Sequence, residues 1–182
     1  MANNGVVLGI DHAATHIAFV AIHQDDFLVR VGKSLGKSGP EACYQARIMT
    51  EKVLIECQEY FSEKEIVAFY ELPVLGRGGF RSTMVQCFTS GSVQAVLHDF
   101  GIQSFTANVS SWKKAVVGKG NADKAQVGES LRLRWPALHA EANGNQDAYD
   151  AASIAIFGRQ LLGQELATIC PMSRSNRKVL PS

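Results

Sequence analysis

A chain of 182 residues, 46% of them hydrophobic, has the size of one domain and enough apolar side chains for a sizeable core. Its net charge of +1 excludes a polycation, so any attraction for nucleic acid has to come from local clusters of Lys and Arg. Cys43, Cys57, Cys87 and Cys170 form no C-x-x-C pair and read as reduced, mostly core thiols, and no apolar run approaches the ~18 residues of a membrane span.

Residues 5–11 read as a buried strand, because Val6 to Ile10 are apolar without alternation. Residues 16–22 and 27–31 read as two more strands, joined across Gln24-Asp25-Asp26, so the chain is expected to open with an antiparallel three-stranded meander. Pro40 starts a helix over 41–61, and residues 65–71 form a fourth strand, parallel to a strand of the meander. A Pro/Gly loop over 72–79 leads to a second helix over 82–98, and 102–109 is a fifth strand. Ser110-Ser111-Trp112 resembles a helix cap. Gly118 and Gly120 then split the next stretch into a helical turn, a loop and a helix over 122–134. After a connection over 136–145, a final helix covers 147–162. The prediction is an α/β domain over 1–164 and a mobile C-terminal tail over 165–182. The domain has a mixed five-stranded sheet, a meander plus two parallel strands, with helices on both faces.

Four acids stand out within that frame. Asp147 and Asp150 lie at i and i+3 where the last helix begins, so both carboxylates share a face beside an apolar stripe. Such a pair is costly unless a cation lies between its members. Asp11 ends the first strand and Glu71 the fourth. Three of the acids have an ordinary alternative: Asp147 can complement the helix dipole, Asp11 can form a turn, and Glu71 can be an exposed strand end. All four together, in this chain order, point to a site for hard divalent ions, with Asp11 the candidate bridge. Phosphodiester hydrolysis by two Mg²⁺ or Mn²⁺ ions about 4 Å apart uses such a ligand set. His12 either donates to that cluster or merely lines a loop, and His139 is expected to face solvent.

Lys113, Lys114, Lys119 and Lys124 oppose one acid, Asp123, around Gly118 and Gly120. This is either a contact for a nucleic-acid backbone or a solvated loop. Arg77, Phe80 and Arg81 follow Glu71. Phe80 either stacks on an unpaired base between the arginines or caps the next helix as a hydrophobic staple.

The strand order with acids on strands one and four and on the last helix resembles the RNase H-like nuclease fold. Leu8-Gly-Ile-Asp11, the segment Trp112-Lys-Lys-Ala-Val-Val-Gly-Lys-Gly-Asn-Ala-Asp-Lys-Ala-Gln-Val127 and the acidic helix Asp147-Ala-Tyr-Asp150-Ala-Ala-Ser-Ile-Ala-Ile156 are similar to motifs of the RuvC-type Holliday junction resolvases. Tyr70-Glu71 falls where that family has its second acid. The resemblance implies a Mg²⁺-dependent homodimeric endonuclease that makes paired symmetric nicks in four-way DNA junctions, with Mn²⁺ able to substitute. Asp11, Glu71, Asp147 and Asp150 would be the ligands of two ions, and Lys113 and Lys124 the basic residues that handle DNA. Phe80 would be the counterpart of an aromatic that probes bases at the crossover. An intracellular, soluble protein of a bacterial or phage-infected cytoplasm or an organelle matrix is expected, with no membrane partner, and the 82–98 helix is the candidate for much of the dimer interface. His12-Ala-Ala-Thr15 replaces the family's usual Pro-Gly turn, and the 72–79 loop is differently spaced, which marks a divergent branch. The alternatives are a flap- or fork-cutting nuclease of the same fold and a non-catalytic junction-binding protein.

Overall fold

The computed structural model describes residues 5–33, 39–62, 64–73 and 79–163. Arg77, Cys170 and the tail expected over 165–182 lie outside these residues. The elements in chain order are β1 (Val6–His12), β2 (His16–His23), β3 (Asp26–Lys33), α1 (Gly39–Tyr60), β4 (Ile66–Glu71) and α2 (Gly79–Asp99). They are followed by β5 (Gln103–Ala107), α3 (Val109–Val117), α4 (Lys124–Arg134), α5 (Pro136–Ala142) and α6 (Gln146–Leu161).

The five strands form one sheet in the order β3-β2-β1-β4-β5. β1 pairs antiparallel with β2, and β2 with β3, while β1–β4 and β4–β5 are parallel. β1 is therefore central and covered on both faces, which is why its sequence is an unbroken apolar run. Val6, Leu8 and Ile10 pack with α1 and α2 through Ala42, Ala46, Leu54, Val93 and Leu97. Val7 packs the other way, into a cluster with Trp112, Val127, Leu131 and the alanines of α6.

On that second face α6 approaches β1 backbone to backbone. A β-carbon on Gly9 would lie 2.1 Å from the carbonyl oxygen of Ala151 and 2.5 Å from the nitrogen of Ala155. Small residues on both sides, Gly9 on the strand and Ala148, Ala151, Ala152 and Ala155 on the helix, make the approach possible. All four alanines are fully buried.

The structure departs from sequence expectation at several places. α2 begins at Gly79 rather than 82, so Phe80 and Arg81 belong to its first turn and not to the preceding loop. The cap of α3 is Asn108, whose side-chain oxygen accepts from the backbone N–H groups of Ser110 and Ser111, so those serines are helical. β5 accordingly ends at Ala107. α4 begins at Lys124, two residues late, because Asp123 and Gln126 form a reciprocal capping box. Residues 136–142, expected as a connection, form α5: Trp135 closes α4 and Pro136 opens the next helix with a φ suited to its first turn. Among the described cysteines Cys57 is buried, Cys43 half-buried and Cys87 exposed, so one of these three is a core thiol where most were expected to be. No helix among the described residues is long and apolar enough to cross a membrane.

Gly9→Ala is expected to force α6 off the sheet, because the clash is with backbone that cannot rotate away. A destabilisation of about 3 kcal/mol, near the upper end for overpacking, should appear as a lower urea midpoint at unchanged m-value.

Candidate active site

The parallel pairing of β1 and β4 sets Ile10 beside Tyr70, so the next residues, Asp11 and Glu71, emerge together at the same end of the sheet. Side chains alternate along a strand. Asp11 therefore follows Val7 and Gly9 onto the α6 face, and Glu71 follows Val67 and Phe69 onto it. α6 starts over this edge, capped by Asn145, whose Oδ1 accepts from the Ala148 N–H at 2.9 Å. Its first turns carry Asp147 and Asp150.

The consequence is one acidic field. Burial pushes the Asp11 carboxyl well above its ordinary range, and Asp150, Glu71 and Asp147 push it further, with Lys124 opposing. Asp150 is raised to about 6, chiefly by burial, with Asp147 adding to the rise and Lys124 and Lys113 opposing it. Its Oδ1 is buried without a hydrogen-bond partner. Glu71 is also raised by burial and by Asp150. It is held back by Lys113 and by a hydrogen bond from the Trp112 indole N–H to Oε2 at 3.1 Å.

The lysines divide into two kinds. Lys124 lies 3.9 Å from Asp147 Oδ1 with its side chain largely exposed. Lys113 turns inward: its ammonium donates to the Ala122 carbonyl at 2.8 Å and lies over the Trp112 ring, 5.5 Å from the centroid. It thus ties α3 to the start of α4. Lys114 and Lys119 are exposed. Gly118 ends α3 at φ 87, a conformation that glycine adopts without strain, whereas Gly120 packs against the Ser110 carbonyl oxygen. Phe80 is 77% exposed at the head of α2, with Arg81 beside it in sequence and also exposed.

Two histidines differ from expectation. Strand alternation carries His12 to the opposite face, beside Tyr70 with ring centroids 6.3 Å apart. It is buried, neither ring nitrogen has a hydrogen-bond partner, and burial lowers it to about 4, so it donates to none of the four acids. His139 is not a solvent-facing loop residue. It lies on α5, its ring stacks on Tyr149 at 4.8 Å, and its Nε2 is 2.9 Å from the Tyr149 hydroxyl. That hydroxyl also accepts from the Gly144 N–H at 3.1 Å. Tyr149, flanked by Asp147 and Asp150, therefore fixes the start of α6. Neither it nor Trp112 stands out in the sequence as part of the site, since an isolated aromatic carries no spacing signal.

The donor set consists of carboxylate oxygens, the ligands that hard divalent cations prefer. Asp150 Oδ1 is buried without a hydrogen-bond partner, and Asp11 and Glu71 are raised by burial first and by neighbouring acids second, an environment that a cation would relieve. In that sense the residues fit such an ion. Among the described residues, however, no three potential ligands are close enough together to form a cage as they stand.

No protein-family model matches the chain, and neither does any curated protein. Solved structures do. RuvC from Thermus thermophilus superposes with a TM-score of 0.66 at 21% identity, covering 87% of this chain and 97% of its own. The same protein in complex with a Holliday junction substrate gives 0.66 at 18% identity, with coverage of 88% and 97%. The yeast mitochondrial Holliday junction resolvase Ydc2 gives 0.56 at 15%, covering 88% and 80%. The chain has the RNase H-like fold of RuvC, with the mixed sheet and flanking helices expected from its sequence.

Asp150 titrates near 6 in the folded chain against an ordinary 3.8. Between these values the folded state binds more protons than the unfolded one, so stability falls as pH rises. Thermal melts in chelator should show Tm dropping from about pH 4 to about pH 7. Asp150→Asn should reduce that slope, to which the raised Asp11 and Glu71 also contribute, and add roughly 1–3 kcal/mol at neutral pH. An unchanged slope would show that Asp150 titrates normally.

Proposed function

We propose that this chain is a structure-selective DNA endonuclease that resolves four-way junctions by paired, symmetric nicks. The observation that carries the reading is the meeting of Asp11, Glu71, Asp147 and Asp150 in one acidic field at the end of the central strands. That field lies in a fold shared with two resolvases, one of them solved on a Holliday junction. On this reading the four carboxylates hold two Mg²⁺ ions, for which Mn²⁺ substitutes. Such ions, when bound, supply an activated water and stabilise the departing 3′ oxygen of the phosphodiester.

The chain's own residues supply placement. Asp11, on the central strand, is the acid whose field involves all three others, which suits it to a bridging position. Exposed Lys114 and Lys119 are free to hold the DNA backbone, and Lys124 sits where it can exchange Asp147 for a phosphate. Lys113 acts from inside, keeping the α3–α4 loop closed. Phe80, exposed at the head of α2 with Arg81, suits stacking on a base unpaired at the crossover.

Met84 and Phe88 lie four residues apart along α2, beyond Phe80, and both are exposed. That pair suits the interface of a homodimer, whose twofold axis would put one acidic site on each of two opposing strands of a junction. A nuclease with broader taste, cutting flaps and forks, would use the same site.

Cleavage of a four-way junction, a duplex, a fork and a flap, each with Mg²⁺, separates these readings. Preference for the junction, with mapped cuts paired across it, is expected; equal cutting of all four substrates would leave only the broader nuclease. Asp11→Asn and Glu71→Gln should each lower cleavage by more than about a hundredfold while junction binding persists. A wild-type chain that binds junctions and nicks nothing with Mg²⁺ is a binding protein. Lys114→Ala or Lys119→Ala should reduce the slope of log K against log salt by about one. A slope equal to wild type would exclude that lysine from the DNA contact.

A further inference from the structure

Trp112 is an odd residue to find against an acidic site. It is 1% exposed, a large flat side chain within the cluster that packs α3, α4 and α6 on the sheet. Its only polar atom is a donor and cannot accept. That donor is aimed 41 residues back along the chain, at Glu71 Oε2, 3.1 Å away. The ring cannot easily turn aside. Asn108 fixes the start of α3 by accepting from two backbone N–H groups, and Lys113, next in sequence, is anchored on Ala122 while its ammonium lies over the indole.

We propose, on the nuclease reading above, that Trp112 is a positioning residue for the metal site: its indole N–H fixes Glu71 through Oε2 and leaves Oε1 as the oxygen offered to a cation. Three rotatable bonds separate the Glu71 carboxylate from the backbone. Left alone beside Asp11 and Asp150 it would swing from them toward water. A neutral, rigid donor holds it in place without neutralising it, which a lysine or arginine would do. The same bond joins the lysine-bearing α3 to the acidic edge of the sheet, so the segment that grips DNA and the acid that serves the chemistry move as one body. The ordinary alternative is that a buried indole has found the nearest acceptor for its N–H. That alternative affects stability and leaves cation affinity alone.

The test uses the full chain, wild type and Trp112→Phe, which keeps a buried aromatic ring and removes the N–H. Mn²⁺ uptake is measured by the loss of the free-ion electron paramagnetic resonance signal. Expected is roughly tenfold weaker Mn²⁺ binding in Trp112→Phe, the scale on which partners of metal ligands act. In wild type, Mg²⁺ should move the Trp112 indole N–H cross-peak in ¹⁵N-correlated spectra with the midpoint of metal binding. Glu71→Ala should displace the same peak in the absence of metal. The chain has two tryptophans, so Trp135→Phe assigns the resonances. Mn²⁺ affinity equal to wild type in Trp112→Phe overturns the proposal and leaves the nuclease reading standing. So does an indole resonance that Mg²⁺ does not move, and that readout decides the matter alone if Trp112→Phe does not fold. A wild-type chain that takes up no Mn²⁺ overturns both.

Discussion

Helix α6 lies so close to the central strand that the Ala151 carbonyl fills the space where any residue but glycine at position 9 would carry a β-carbon. The geometry of the acidic edge follows from that contact. Two residues further along the strand is Asp11, and one to four residues back along the helix are Asp150 and Asp147. A larger separation between helix and strand would leave two acids on the sheet and two on a surface helix, each with its own water. The parallel register of β1 with β4 then adds Glu71 at the level of Asp11, with no further device needed.

Bringing like charges together in a half-buried setting costs free energy, and the fold meets that cost in graded fashion. Lys124 and Lys113 lower the burden on Asp150, Lys124 does so for Asp11, and Trp112 and Lys113 do so for Glu71. None of these is a tight ion pair: Lys124 stays 3.9 Å from Asp147, and Lys113 gives its hydrogen bond to a carbonyl. The positive charges are near enough to make the cluster tolerable and too loosely held to satisfy it. A cluster that is stable yet unsaturated suits the cation that the proposed function assigns to it.

Much of this was legible from residues whose type follows from physical need. Asp11 and Glu71 each close an apolar run, so strand ends and acids were read together. The i, i+3 pair at the head of an alanine-rich helix indicated both the helix and its shared face. The mixed sheet followed from short links early in the chain and helical crossovers later. What the sequence did not reveal was tertiary. His12 follows Asp11 directly, yet strand alternation sends it through the sheet to Tyr70. His139 falls in the stretch over 136–145 expected to be a mere connection, and only the stacked ring of Tyr149 shows that it is packed. Lys113 reads as one lysine of four in a basic loop, and its inward turn depends on the position of the Ala122 carbonyl. Trp112 hydrogen-bonds to a residue 41 positions away, which no local pattern encodes.

Tyr149 is gripped on its face by His139 and at its hydroxyl by the Gly144 N–H and the imidazole nitrogen. Helix ends ordinarily fray, and acids carried on a fraying turn would sample many placements. Here the opening turn of α6 is pinned by a side chain that points away from the work the turn performs. On the proposed function, the configurational freedom of the two aspartates is surrendered once, during folding, rather than at each encounter with DNA. That early surrender is the general condition for a fast and reproducible reaction geometry.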